Sequence, residues 1–239
     1  MDQLLSDSLF LLVIFMSNTI QILTGFGGNM LAMPPSIKLI GINEARTVLN
    51  VFDLIACLIL WIKNRQYVNK KIFIKIIFYM IIGMIIGMWF IKIVPVDFLL
   101  KTYSILIILI AIYKMIIKKS IEPPNIVMIF IILLAGIIHS IFLSGGALLV
   151  IYAVSVLKDK REFRATLSPV WVVLAVILVF SHFNNGYYTK NTVILIFLSI
   201  IPLIASLWLG NKLFKYINQE LFLKITYVLL LISGISLLK

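Results

Sequence analysis

The chain has 239 residues, of which 62% are hydrophobic and only 13% charged, with a mean hydropathy of +1.14. A soluble domain carries about 45–50% apolar and about 25% charged residues, so a water-soluble globule is excluded and the apolar excess must face lipid. The net charge of +12 would suggest nucleic acid in a soluble protein. Here the basic residues lie between apolar runs, where they set membrane orientation instead. The single cysteine, Cys57, sits inside an apolar run, and the two histidines, His139 and His182, are far apart. No disulfide framework, metal cluster or cofactor is expected from them.

The first residues carry Asp2 and Asp7 and no Lys or Arg before Lys38. That lacks the basic start of a signal peptide, so the first apolar stretch is expected to stay in the mature protein. A hydrocarbon core of about 30 Å takes about 20 helical residues. Residues 4–42 are apolar but too long for one straight span, and Gly25, Phe26, Gly27 and Gly28 interrupt them. Residues 45–62, 72–94 and 98–117 then predict three full spans. Residues 125–157 are again too long for one span and are interrupted by Ser144, Gly145 and Gly146, after which 165–183, 192–209 and 221–238 predict three more spans. The longest polar stretches, 63–71, 118–125 and 158–164, are loop-sized. About a dozen residues follow each break, a half-span at ~1.5 Å per residue. A broken helix at membrane depth is tolerated only where it is buried in protein or lines a cavity. The plainer alternative is that these glycines only let helices approach closely.

The two broken regions match each other. At an offset of 118 residues, Gly27 and Gly28 fall on Gly145 and Gly146, Glu44 on Glu162, Arg46 on Arg164 and Leu49 on Leu167. At 119, Trp89 falls on Trp208, and at 123 Asp97 and Lys101 fall on Glu220 and Lys224. The chain therefore reads as one transmembrane domain, 1–239, with repeat one over about 4–119 and repeat two over about 125–239. Such duplication typifies secondary transporters, with sites between repeats and at helix breaks. Charge decides the relation between the halves. If each broken region crosses once, the 21 Lys and Arg divide 11 to 10, which is no bias. If each enters and returns as a hairpin, 15 lie inside and 6 outside (Lys38, Arg46, Lys92, Lys101, Lys190 and Lys239). The positive-inside rule prefers the hairpins. The expected fold is an all-α polytopic membrane protein of two inverted repeats, each a glycine-broken re-entrant hairpin plus three transmembrane helices.

The string GFGGNMLAMPP, followed by IGINEARTVLN, resembles the glycine-rich segment of the sulfite exporter TauE/SafE family, and the duplication extends the resemblance over essentially the whole chain. The resemblance implies a carrier of sulfite, organosulfonates or related small anions in the cytoplasmic membrane. This sequence departs from the family pattern, with Gly27-Gly28-Asn29 and Gly145-Gly146-Ala147 in place of three glycines, and no Pro-Pro after the second break.

The glycines are the first candidates for chemistry. A break at Gly27-Gly28, and another at Gly145-Gly146, frees backbone N–H groups at the start of the following helix, a positive dipole end suited to an anion. Two such ends approaching from opposite sides would cradle an oxyanion without a fixed cation. Around the first break stand Gln21, Thr24, Gly25 and Asn29, and around the second His139, Ser140 and Ser144, with Gln21 and His139 equivalent at the 118 offset. Asn50 and Ser168, which end the two matched strings, join the candidate binding set. For each lone polar residue a helix–helix hydrogen bond is the competing reading.

Asp53 is the sharpest single residue. It lies roughly 12 Å along its helix from Ala45, near mid-bilayer, where an ionisable group is costly and functional by default. Asn50 and Arg46 precede it on the same face, and its repeat equivalent is Trp171. That asymmetry suits a proton or cation coupled to anion movement; a neutral, hydrogen-bonded packing role is the alternative. His139 is a second candidate for proton coupling. His182, beside Asn184, Asn185 and Gly186, reads as an interfacial loop residue. Arg46 and Arg164 read as loop anchors paired with Glu44 and Glu162, or as a gate, and Trp61, Tyr67 and Trp89 as interface anchors.

The expected function is a secondary anion transporter, not an enzyme, with a small anion and membrane lipid as partners, no nucleic acid, and a homodimer compatible with all of this. A passive channel is the first rival. An intramembrane serine hydrolase built on Ser144 with His139 or His182 is the second, but the string FLSG lacks the glycine two residues before the serine. No glycine-rich Lys-Ser/Thr loop marks a nucleotide-driven pump.

Overall fold

The computed structural model describes residues 3–90, 101, 104, 105, 108, 109, 111–113, 124–143 and 145–238. Ser144 and most of the span expected over 98–117 lie outside the described residues. The described elements are helical: α1 (Gln3–Thr24), α2 (Gly28–Ile40), α3 (Ile42–Asn64), α4 (Lys70–Phe90), α5 (Asn125–Phe142), α6 (Gly146–Val156), α7 (Lys160–Asn184), α8 (Lys190–Leu198), α9 (Ile200–Tyr216) and α10 (Gln219–Leu238). A short 3₁₀ turn, Arg65–Tyr67, links α3 to α4. Five stretches among these are long and apolar enough to cross a membrane: Leu5–Thr24, Ile42–Tyr67, Lys70–Trp89, Lys160–Asn184 and Lys190–Tyr216. This is an all-α, multi-pass membrane protein. Large apolar side chains left exposed on α4 (Phe78, Ile85, Trp89) and on α8 and α9 (Phe197, Ile201, Trp208) mark faces suited to lipid.

Both breaks form where the glycines lie. Gly25 and Gly27 adopt φ of 81° and 84°, a left-handed conformation that a side chain strains. The chain then turns back on itself: a Cβ on Gly28 would lie 2.6 Å from the Ser17 carbonyl of α1, and one on Gly145 would lie 2.2 Å from the Ala135 carbonyl of α5. The returning limbs α2 and α6, of 13 and 11 residues, are half-spans. The outgoing limb differs from expectation. α1 has 22 residues, about 33 Å at 1.5 Å each, so it is long enough to cross by itself. The span expected at 192–209 is found within Lys190–Tyr216, with an interruption at Ser199 between α8 and α9. Pro202 explains it: the ring clashes with the carbonyl four residues back, at Leu198, and supplies no N–H to it.

Close helix approach is carried by glycine, as lipid offers no hydrophobic drive between spans. Gly83 of α4 faces the Leu133 carbonyl and Gly136 of α5 faces the Met80 carbonyl, while Gly210 of α9 faces Ile22 and Thr19 of α1. The central pair is α3 with α7. Glu44, near the start of α3, meets Thr189 just beyond α7; Asn50 donates to the Ala175 carbonyl; Asn69, past the end of α3, bonds Thr166 and Glu162 near the start of α7. The two helices are therefore antiparallel, and at the 118 offset they are equivalent. In a Cys57→Ser background, cysteines placed at exposed Asn43 and Lys158 are expected to react with an impermeant thiol reagent from opposite faces of the membrane. Labelling of both from one face would contradict this antiparallel arrangement as a membrane topology.

Candidate functional site

The two breaks meet. A Cβ on Gly146 would lie 3.6 Å from Phe26 Cβ and 3.7 Å from the Gly27 nitrogen, so the N-termini of α2 and α6 adjoin. Neither helix is capped by the side chain of the residue before it. The space at the junction is lined by Gln21, Gly27, Asn29 and Asp53 from the first half and by His139, Gly146 and Trp171 from the second, with Met30 and Leu143 closing it. Its volume is about 10 Å³, room for about one water.

Gln21 organises the first break. Its Oε1 accepts the Gly28 N–H at 2.9 Å, the first N–H of α2. An acceptor is required there, which orients the amide and turns Nε2 toward Asp53 Oδ1, also at 2.9 Å. Cys57, one turn beyond Asp53 on α3, donates its thiol to the same Oδ1 at 3.3 Å and lies 3.4 Å from Gln21 Nε2. The carboxyl of Asp53 is 4% exposed, so these two donors replace water at a group that is expensive to bury alone.

The second break carries His139, stacked on Trp171 at 5.3 Å between ring centroids. Trp171 Nε1 donates to the Gly25 carbonyl at 2.7 Å, a bond from the second half onto the first break. Gln21 and His139 are equivalent at the 118 offset, as are Asp53 and Trp171, and all four line the same space. The asymmetry between acid and indole therefore falls at the centre of the site.

Two arginines complete it. Arg164 donates to the Ile22 carbonyl at 2.8 Å, and Arg46 to the Ser140 carbonyl at 3.1 Å. Ile22 and Ser140 are themselves equivalent at the 118 offset, so one contact is made twice, each half reaching the broken helix of the other. The pairing expected with Glu44 and Glu162 is replaced by these carbonyls, because a helix broken inside a membrane leaves its last C=O groups without intrahelical partners. Glu44 and Glu162 instead accept from Thr189 and Asn69.

Of the residues singled out from sequence, Gln21, Gly27, Asn29, Asp53, His139 and Gly146 line the site. Gly25, Gly28 and Gly145 form the adjoining backbone. Thr24 folds onto the Ile20 and Phe26 carbonyls, Ser140 Oγ bonds Ile137, and Ser168 Oγ bonds the Arg164 carbonyl, so these three hydroxyls serve local backbone. Asn50 bridges to α7 rather than lining the site. His182 is not a loop residue: it lies in the last turn of α7 and is 1% exposed. Trp171, Cys57 and the two arginine-to-carbonyl contacts escaped sequence reasoning as parts of the site. The arginines carried a signal, the repeat of Glu-x-Arg beyond each break, but nothing in it named a carbonyl.

The family model described as Sulfite exporter TauE/SafE matches residues 9–237. The chain belongs to the sulfite exporter TauE/SafE family. It is accordingly a membrane transporter by family, and the glycine breaks that carried the resemblance are the residues that build its central site. No curated protein and no solved structure matches the chain.

The glycine positions set a stability test. Gly145→Ala drives a methyl into the Ala135 backbone, which cannot swing away as a side chain would. It is expected to cost about 1–3 kcal/mol, as overpacking does, read as a lower unfolding midpoint of the purified protein. Ala at the helical Gly146, where the added Cβ meets only ordinary contacts at 3.6–3.7 Å, is expected to cost less; equal losses at the two positions would contradict this account.

Proposed function

We propose that this chain is a secondary transporter of a small anion, sulfite or an organosulfonate, across the cytoplasmic membrane, working by alternating access between two inverted repeats and coupled to a proton or cation through Asp53. The carrying observation is the junction of two helix N-termini, one of them held at its first N–H by Gln21, beside one buried carboxyl group. Helix N-termini hold an anion through backbone N–H groups, and an anion held that way leaves more easily than one paired with a buried cation. Binding needs the site to expand, since about 10 Å³ admits no oxyanion, and the hairpins are the elements that can move.

The inverted relation is supported by the antiparallel run of α3 and α7 and by the exchanged contacts of Arg46 and Arg164. A contact made reciprocally between equivalent residues is the mark of a two-fold axis. With equivalent helices antiparallel, that axis lies in the membrane plane, the geometry of alternating access. The small volume of the site favours this over a passive channel, which needs a continuous path.

Asp53 is the coupling residue in this reading. It is the acidic group at the site, its repeat equivalent Trp171 carries no charge, and Gln21 ties its carboxyl directly to the Gly28 N–H at the break. A change in its charge therefore reaches the anion site through one side chain. In liposomes holding the purified protein, Asp53→Asn is expected to end sulfite accumulation driven by an imposed pH gradient. Wild-type flux with unchanged pH dependence would remove Asp53 from the mechanism, and wild-type flux indifferent to any gradient would favour the channel.

A further inference from the structure

The two arginine contacts are equivalent in sequence but not in surroundings. Arg164 is 5% exposed, bonds both the Ile22 carbonyl and Asn211 Oδ1, and lies 3.6 Å over the Phe214 ring. Arg46 is only partly buried and makes one bond, to the Ser140 carbonyl, while its buried Nε has no protein partner. Around Arg46 gather other buried polar atoms with no protein partner: both ring nitrogens of His139 and of His182, and Oδ1 of Asn50. His139 precedes Ser140, whose carbonyl Arg46 bonds, and the Glu44–Thr189 contact brings the end of α7, with His182 5.7 Å from the Tyr187 ring, to the start of α3. Asn50 is one turn beyond Arg46 on the same face of α3, followed on that face by Asp53.

Buried polar groups are normally hydrogen-bonded, and leaving one unpaired costs about 1–3 kcal/mol. Here the unpaired atoms cluster about a single guanidinium, on the line that runs from the start of α3 to Asp53. The acid at that end, Glu44, bonds Thr189. A guanidinium is a weakly hydrated fork that takes an oxyanion through two parallel N–H bonds, and imidazole N–H groups add further donors.

We propose that Arg46 and His182 form a second oxyanion subsite, which holds the anion between the start of α3 and the helix breaks. An anion arriving there competes with the Ser140 carbonyl for Arg46, so occupying the subsite also frees the tip of the second hairpin. Arg164, bonded to Asn211 and packed on Phe214, holds the other tip shut. Access is therefore from the α3 start in this conformation. The step from the subsite to the breaks rests on the transport reading; binding at the subsite does not.

The test measures sulfite binding to the purified full chain by calorimetry at constant ionic strength, beside sulfite flux in liposomes. Arg46→Gln is expected to raise Kd and KM at least tenfold, and His182→Asn several-fold. The double variant should lose less than the product of the two, because both groups hold one ligand. Arg46→Lys, which keeps the charge and loses the fork, should recover part of the affinity. Should Arg46→Gln fail to fold, His182→Asn leaves the contact to Ser140 in place and carries the test. Kd and KM within twofold of wild type in the variants that fold would overturn the subsite and leave transport standing. Binding that Arg46→Gln weakens, in a protein that moves no sulfite, would keep the subsite and overturn the transport reading. A wild type that neither binds nor moves sulfite overturns both.

Discussion

A helix broken inside a membrane leaves backbone groups that lipid cannot satisfy, and each break in this protein is completed by the opposite half of the chain. The Ile22 and Ser140 carbonyls are taken by Arg164 and Arg46, and the Gly25 carbonyl by Trp171. The Gly28 N–H is met from within its own hairpin by Gln21, and the Phe26 N–H by Thr24. Neither broken helix can therefore exist at depth without the other half folded against it. This mutual dependence explains why α3 and α7, which carry the arginines and Trp171, pack against each other at the centre while α4 and α9 present apolar faces outward.

The site joins structure to chemistry through few atoms. Gln21 spends its carbonyl on the backbone of the break and its amide on Asp53, so a charge change at the carboxyl is felt one side chain away. Cys57 adds a second donor to the same oxygen. Asp53 and Trp171 occupy equivalent positions of the two halves, one ionisable and one a fixed N–H donor to Gly25. An otherwise near-symmetric core thus carries its charge on one side. The arginine contacts repeat the theme: the chemistry is duplicated, but Arg164 is buried against Phe214 and Asn211, whereas Arg46 stands among unpartnered histidines.

Much of this was legible in the sequence because it is local or periodic. The clusters at Gly25 to Gly28 and at Gly145 and Gly146 interrupt apolar runs, and glycine at positive φ is a backbone property that needs no neighbour to read. The mid-bilayer depth of Asp53 follows from helix rise alone. Errors arose where length or partner is decided by packing. The arginines expected beside Glu44 and Glu162 reach carbonyls of the opposite half instead. His182, flanked by turn-forming residues, was read as surface, yet the helix keeps it beneath Tyr187.

By itself, then, the sequence determined the membrane setting, the helical class, the two breaks and the acidic side chain of Asp53 within an apolar run. Composition, periodicity and glycine chemistry act within a few residues or over the whole chain, and need no knowledge of contacts. The tertiary structure alone decided that the two breaks adjoin, that Gln21 bridges Asp53 to Gly28, and that Arg46 and Arg164 reach across to each other's broken helices. Those pairings join residues 94 and 142 positions apart. An arginine at a helix start can satisfy a nearby glutamate or a distant carbonyl equally well, and only the folded arrangement, which leaves those carbonyls without water, selects the second.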